Sequence, residues 1–264
     1  MTWVIGTPST LGYGVAISDI RVKFPGGETR DCLQKVYPVG PYIVAGFSGS
    51  VLFGFSTIDF LQKVLHVPEP NQAWVPGRVA FNFYRNIRRA FAGASEKIKS
   101  IGASIMLVGV SPNVDVGIPG WARPTVAIMK SPGFGPTILK PDEVDSIGSG
   151  SGVEYYVNEL RNLQRDYHLL WKLELGGSGS GGYATILLHR IQQVIEEHPE
   201  PTISHHLNVC IVQRGRIRIG NNVRQVISSD GSITETKMPK VAYSYTEFIS
   251  ICSEMGVEAS QAAC

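Results

Sequence analysis

Apolar residues change period several times along this chain, and each change marks a new element. Residues 2–5 form an apolar, β-rich run, and GYGVAISD (12–19) forms a second, entered through a Pro/Ser/Thr/Gly turn. Residues 32–39 and 42–46 are two more short runs, separated by the turn signal Gly40-Pro41, while FPGGETRD (24–31) reads as a loop. From Val51 the period becomes helical, with Val51, Phe55, Ile58, Leu61 and Leu65 on one face. The same spacing predicts a second helix over 77–100, with Val79, Phe83, Ile87, Phe91 and Ile98 on its apolar side and Gly102 closing it.

Strand-like runs then resume at 103–110, 125–131, 136–140 and 145–152. Helices are expected over 152–171 and 182–197, joined by the flexible link LGGSGSGG. HLNVCIVQ (206–213) and RIRIGNN (216–222) flank the hairpin signal Arg214-Gly215, and VRQVISS and SITETK surround Asp230-Gly231. A helix over 245–255 and a small-residue tail end the sequence. Hairpin connections between neighbouring strands point to antiparallel sheets with helices laid over them. No linker or repeat divides the chain, so residues 1–264 are read as a single domain, with a C-terminal extension over about 223–264.

Composition changes this picture little. With 43% hydrophobic and 17% charged residues the chain is of the folding kind, not a disordered one. A net charge of +2 demands no nucleic-acid partner, and Arg85, Arg88, Arg89, Lys97 and Lys99 read as a solvated helix face. The four cysteines form no metal-finger spacing, which fits reduced thiols in the cytoplasm. MTWVIGTPST has no basic region and no long apolar stretch, so neither a secretory signal nor a membrane span is expected. His205 and His206 are adjacent, which would put them on opposite faces of a strand and rule out a shared metal. LGGSGSGG lacks the Lys-Ser/Thr ending of a phosphate-binding loop, so no cofactor or nucleotide site is expected.

The chemistry gathers near the start. Removing Met1 would make Thr2 the first residue, and a free α-amine, with an ordinary pKa of about 7.7–8.0, can take the proton from its own hydroxyl. Asp19 and Arg21 follow in VAISDIRV, Lys35 in LQKVYPVG, and Gly46, Phe47, Gly49 and Ser50 in VAGFSGS. Each alone is bland: an aspartate at a strand end caps a turn, a strand lysine is solvated, and the glycines serve turns.

Together, in this order, they resemble the opening signature of proteasome β-subunits and their bacterial relatives in the N-terminal-nucleophile (Ntn) hydrolase family, including the proteolytic component of the ATP-dependent two-part protease. IGSGSG (147–152), leading into a helix, resembles a later motif of that family. The resemblance covers roughly residues 2–220 and is most specific over the first 50. It implies an α+β fold, a four-layer αββα sandwich of two antiparallel sheets between helical layers. It implies a threonine endopeptidase acting on polypeptides inside a homo-oligomeric ring, with a separate ATPase unfoldase as a further partner. Thr2 would attack the carbonyl, Asp19 would orient Lys35 beside it, the Gly49 amide would face the oxyanion, and Ser149 would help place the α-amine. Phe47 would floor the side-chain pocket and favour small or medium residues before the cut.

The chain departs from the family where an aspartate precedes a serine by three residues. Matching that serine to Ser204 leaves Pro201 in the acidic position, with Glu200 adjacent. Two other readings follow. One is a catalytically silent, ring-forming scaffold subunit, which Pro201 and the added segments (111–124 and the C-terminal extension) would suit. The other is an amidase for small amides, although such relatives usually begin with Cys or Ser.

Overall fold

The computed structural model describes residues 2–9, 11–65, 74–115, 122–175, 182–221, 224–227, 233–236 and 238–264. Met1, most of the Gly/Ser link, part of the 111–124 segment and the Asp230-Gly231 turn lie outside them.

The first half runs β1 (Trp3–Ser9), β2 (Tyr13–Asp19), β3 (Arg21–Lys23), β4 (Thr29–Asp31), β5 (Val36–Gly40), β6 (Ile43–Gly49), α1 (Val51–Leu65), α2 (Pro76–Ala92) and α3 (Glu96–Ile101). It continues through β7 (Ala103–Asp115), β8 (Ala122–Lys130), β9 (Thr137–Ile138) and β10 (Asp145–Gly148) to α4 (Glu154–Leu175) and α5 (Gly182–Glu197). The last part holds β11 (Leu207–Gln213), β12 (Arg216–Asn221), β13 (Arg224–Ile227), β14 (Ile233–Thr236) and α6 (Tyr245–Glu254). Two five-stranded sheets result, ordered β10-β1-β2-β11-β12 and β5-β6-β7-β8-β9, with small ribbons β3-β4 and β13-β14. Every paired strand in them is antiparallel.

Side-chain alternation explains why the central strands read as continuous apolar runs. Along β1, Trp3 and Ile5 join an apolar cluster with Tyr156 and Leu160 of α4 and Tyr183 and Leu187 of α5, while Val4 joins another. Along β6, Ile43, Ala45 and Phe47 pack with α1 and α2 residues such as Phe55, Ile58 and Val79, while Val44 faces the opposite way. Val4, Ala16, Val44, Met106, Val108 and Val126 form a cluster shared by both sheets. Strands covered on both faces need no polar side, so they lack the alternation of a half-exposed sheet.

Several boundaries differ from the sequence expectation. The helix expected over 77–100 is two: Gly93 closes α2, and the Ser95 hydroxyl accepts the Ile98 N–H to start α3. The expected loop 24–31 contains β4, which pairs with β3 around the Phe24–Glu28 turn. The run 145–152 stays extended only to Gly148, after which Ser149–Gly152 forms a 3-10 turn. His205 and His206 both precede β11, so strand alternation does not set their directions.

The end of the chain returns to the middle of the molecule. α6 is capped by the Ser244 hydroxyl and lodges Phe248 and Cys252 in the core beside α1. After a 3-10 turn at Ala259–Gln261, residues 262–264 lie between Lys23 and Gly49, with Ala262 and Cys264 buried.

Candidate active site

β1 and β2 share a register that sets Val4 opposite Ser18, so Asp19 arrives beside the start of β1. Its carboxylate is wholly buried and collects four donors. Oδ1 accepts the Trp3 amide at 2.8 Å and the Lys35 ammonium at 2.9 Å. Oδ2 accepts the Arg21 amide at 2.9 Å and the Ser204 amide at 3.3 Å. Lys35 is equally buried, and its Nζ also donates to the Arg21 carbonyl at 2.5 Å. A buried charge pair is tolerable only when its remaining hydrogen-bonding capacity is met, and this one is tied down from four segments of chain.

Thr2 adjoins this pair through the Trp3 amide, which Asp19 holds. Its backbone N–H donates to Ser149 Oγ at 3.1 Å, and Ser149 Oγ donates back to the Thr2 carbonyl at 3.3 Å. The Gly150 amide donates to the same carbonyl at 3.3 Å. Gly148 makes this approach possible: its φ is 94°, and a Cβ there would collide with the Thr2 carbonyl. Thr2 Oγ1 is buried and has no nitrogen or oxygen partner; the thiol of Cys264, a weak donor, is the group beside it. A buried hydroxyl left without a strong partner costs free energy.

Gly49 ends β6 with φ 91°, its Cα pressed against the Gly102 backbone so that a side chain has no room. It lines a cleft of about 340 Å³ together with Ser48, Ser131, Gly148, Ser149 and Cys264 among others, and its amide donates to the Cys264 carbonyl. Burial pushes the Cys264 thiol up, against the lowering influence of nearby Lys35 and the Thr2 hydroxyl.

Five of the residues singled out from the sequence are therefore neighbours: Thr2, Asp19, Lys35, Gly49 and Ser149. Phe47 is placed differently. It is wholly buried on the helix side of β6, stacked on Tyr37 at 6.2 Å between centroids and tilted on Phe55 at 5.5 Å.

Two features escaped the sequence reading. Asp31 takes a bidentate contact from Arg21 at 2.7 and 3.2 Å, and the Ser204 hydroxyl at 2.6 Å. Burial raises the Asp31 pKa, but these hydrogen bonds from Arg21 and Ser204 outweigh it and hold the carboxyl below its usual value. The Pro201 carbonyl accepts a third Arg21 bond at 3.0 Å, so this loop is anchored although Pro201 offers no carboxylate. The second feature is the tail, whose small residues carried no signal of their own.

No family model matches this chain. No curated protein matches it either. Among the described residues, no helix is long and apolar enough to cross a membrane.

Proposed function

We propose that the chain is an Ntn hydrolase of the proteasome β-subunit kind, with Thr2 as nucleophile once Met1 is removed and the peptide bond of a polypeptide as its target. The observation that carries this reading is the buried Asp19–Lys35 pair beside an otherwise orphaned Thr2 hydroxyl. The two sheets with a shared apolar cluster, α1 and α2 on one outer face and α4 and α5 on the other, fit the four-layer αββα sandwich of that family.

In this reading the freed α-amine receives the hydroxyl proton, directly or through a water held near Ser149. The Lys35 ammonium lowers the proton affinity of the groups around it, which keeps the amine neutral and ready to act as base. Thr2 Oγ1 then adds to the substrate carbonyl. The Gly49 N–H faces the oxygen on which negative charge develops, an interaction worth on the order of 2.7–4 kcal/mol in other hydrolases. The amine returns the proton to the leaving nitrogen, and water releases the acyl group from Thr2. Asp19 holds Lys35 in place. The proposed working form is a homo-oligomeric ring in the cytoplasm, with unfolding of substrates left to a separate ATPase.

Intact mass measurement after incubation with a β-lactone tests the chemistry. The expected result is a chain lacking Met1 and carrying a single adduct on Thr2, absent in Thr2→Ala. A chain that keeps Met1 and takes no adduct would favour the silent scaffold instead.

A further inference from the structure

Residues 262–264 lie as a short extended strand in a slot between Lys23 and Gly49–Ser50, and Cys264 at its end also lines the cleft. Ala263 exchanges both main-chain bonds with Lys23, its N–H donating to the Lys23 carbonyl at 3.0 Å and its carbonyl accepting the Lys23 N–H at 2.8 Å. On the other side the Val51 N–H donates to the Ala262 carbonyl at 3.2 Å, and the Cys264 N–H donates to the Gly49 carbonyl at 2.8 Å. The Gly49 N–H closes the ladder on the Cys264 carbonyl. The strand is thus antiparallel to both of its walls, Lys23 and Ser50. It uses only main-chain atoms for register, so any peptide of suitable side chains could make the same bonds.

We infer that residues 262–264 are a built-in occupant of a peptide slot between Lys23 and Gly49–Ser50, which hold Thr2 closed to other chains and display the ligand class it takes: an extended main chain with a small side chain facing Thr2. This rests on the hydrolase reading above, because it treats Gly49 as the oxyanion donor and Thr2 as the nucleophile. The Gly49 amide has one hydrogen, and the tail already uses it, so a substrate carbonyl can reach that donor only after Cys264 leaves. The Cys264 carbonyl stands where a substrate carbonyl would stand, and its thiol lies beside the Thr2 hydroxyl. Ala262 and Cys264 are small and buried, which leaves larger side chains at those two places without space. Tethering makes the occupant hard to displace, since a segment fixed through α6 acts at an effective concentration in the millimolar range.

The test compares the intact chain with one ending at Ala262, which keeps the buried Ala259 and Ala262 in the core. Ala263→Pro serves as a second variant, because it removes the N–H given to Lys23 without shortening the chain. β-Lactone labelling of Thr2, followed by intact mass, should be about tenfold faster or more in both variants, given the tether's effective concentration. Adding the acetylated peptide SQAAC (260–264) to the shortened chain should slow it again. Docking is read separately from reactivity by Thr2→Cys, whose new thiol should form a disulfide with Cys264 under mild oxidation. Equal labelling rates in intact and altered chains, or no disulfide, would overturn the inference. A disulfide with no labelling in any chain would overturn the hydrolase reading, and the inhibitory role with it.

Discussion

The Asp19 carboxylate meets four donors, of which only Lys35 carries a formal charge. Replacing Lys35 with Met would leave a buried carboxylate with amide partners alone. Unfolding in urea should then show a loss of about 3–5 kcal/mol, together with loss of Thr2 labelling. Asp31 makes a different prediction, in pH. Its carboxyl is held below the usual 3.8, chiefly by Arg21 and Ser204 acting against burial. A depressed carboxylate stabilises the fold above its unfolded pKa, and that contribution is lost as pH falls through the folded value. The melting-temperature gap between the wild type and Asp31→Asn should stay constant down to about pH 5 and close below about pH 4. A gap that persists in acid would show that Asp31 acts through shape and not through charge. Thr2, Asp19, Lys35, Gly49 and Ser149 were singled out in the sequence only through their likeness to one family's motifs. Asp31 was not, because its role depends on Ser204 approaching from 173 residues away.

Among the elements, periodicity located α1, α5, α6 and the central strands closely, since each has a long apolar signature. It failed where short-range polar contacts decide the backbone. The break between α2 and α3 depends on Gly93 and the Ser95 cap, while apolar residues continue at helical spacing on both sides. β4 was hidden in a Gly-rich segment, because it buries no apolar residue of its own and pairs with β3 through main-chain bonds. α6 anchors the tail through Phe248, which is buried and stacks on Phe24 at 6.1 Å between centroids. Phe248→Ala should cost about 3–5 kcal/mol in denaturant unfolding. The same change should loosen residues 262–264, so labelling of Cys264 by iodoacetamide should accelerate along with it. A loss of stability without that acceleration would mean the tail is held from Gly49 and Lys23 alone.

At the level of the whole molecule, the alternation along β1, β2, β6 and β7 is what gives two sheets three separate apolar clusters. Most of the strand and helix order was readable from periodicity, whereas the meeting of two sheets was expected only through the family resemblance. That contact involves small residues such as Gly6 and Gly46, whose neighbours Met106 and Val4 come from the facing sheet. Light scattering checks the proposed ring: a mass several times 28.7 kDa is expected, and a mass at 28.7 kDa would count against it.

The spread of the Asp19 contacts along the chain has a consequence for synthesis. Thr2 is made well before Ser149, which it meets in the fold, and the nearby Asp19 carboxylate binds Ser204, 185 residues further on. Contacts so distant in sequence form late in folding. A nascent chain still on the ribosome thus carries Thr2, the nucleophile of the proposed reading, before the residues around it are in place. In the hydrolase reading, the order of translation would itself keep the chemistry silent until most of the protein exists.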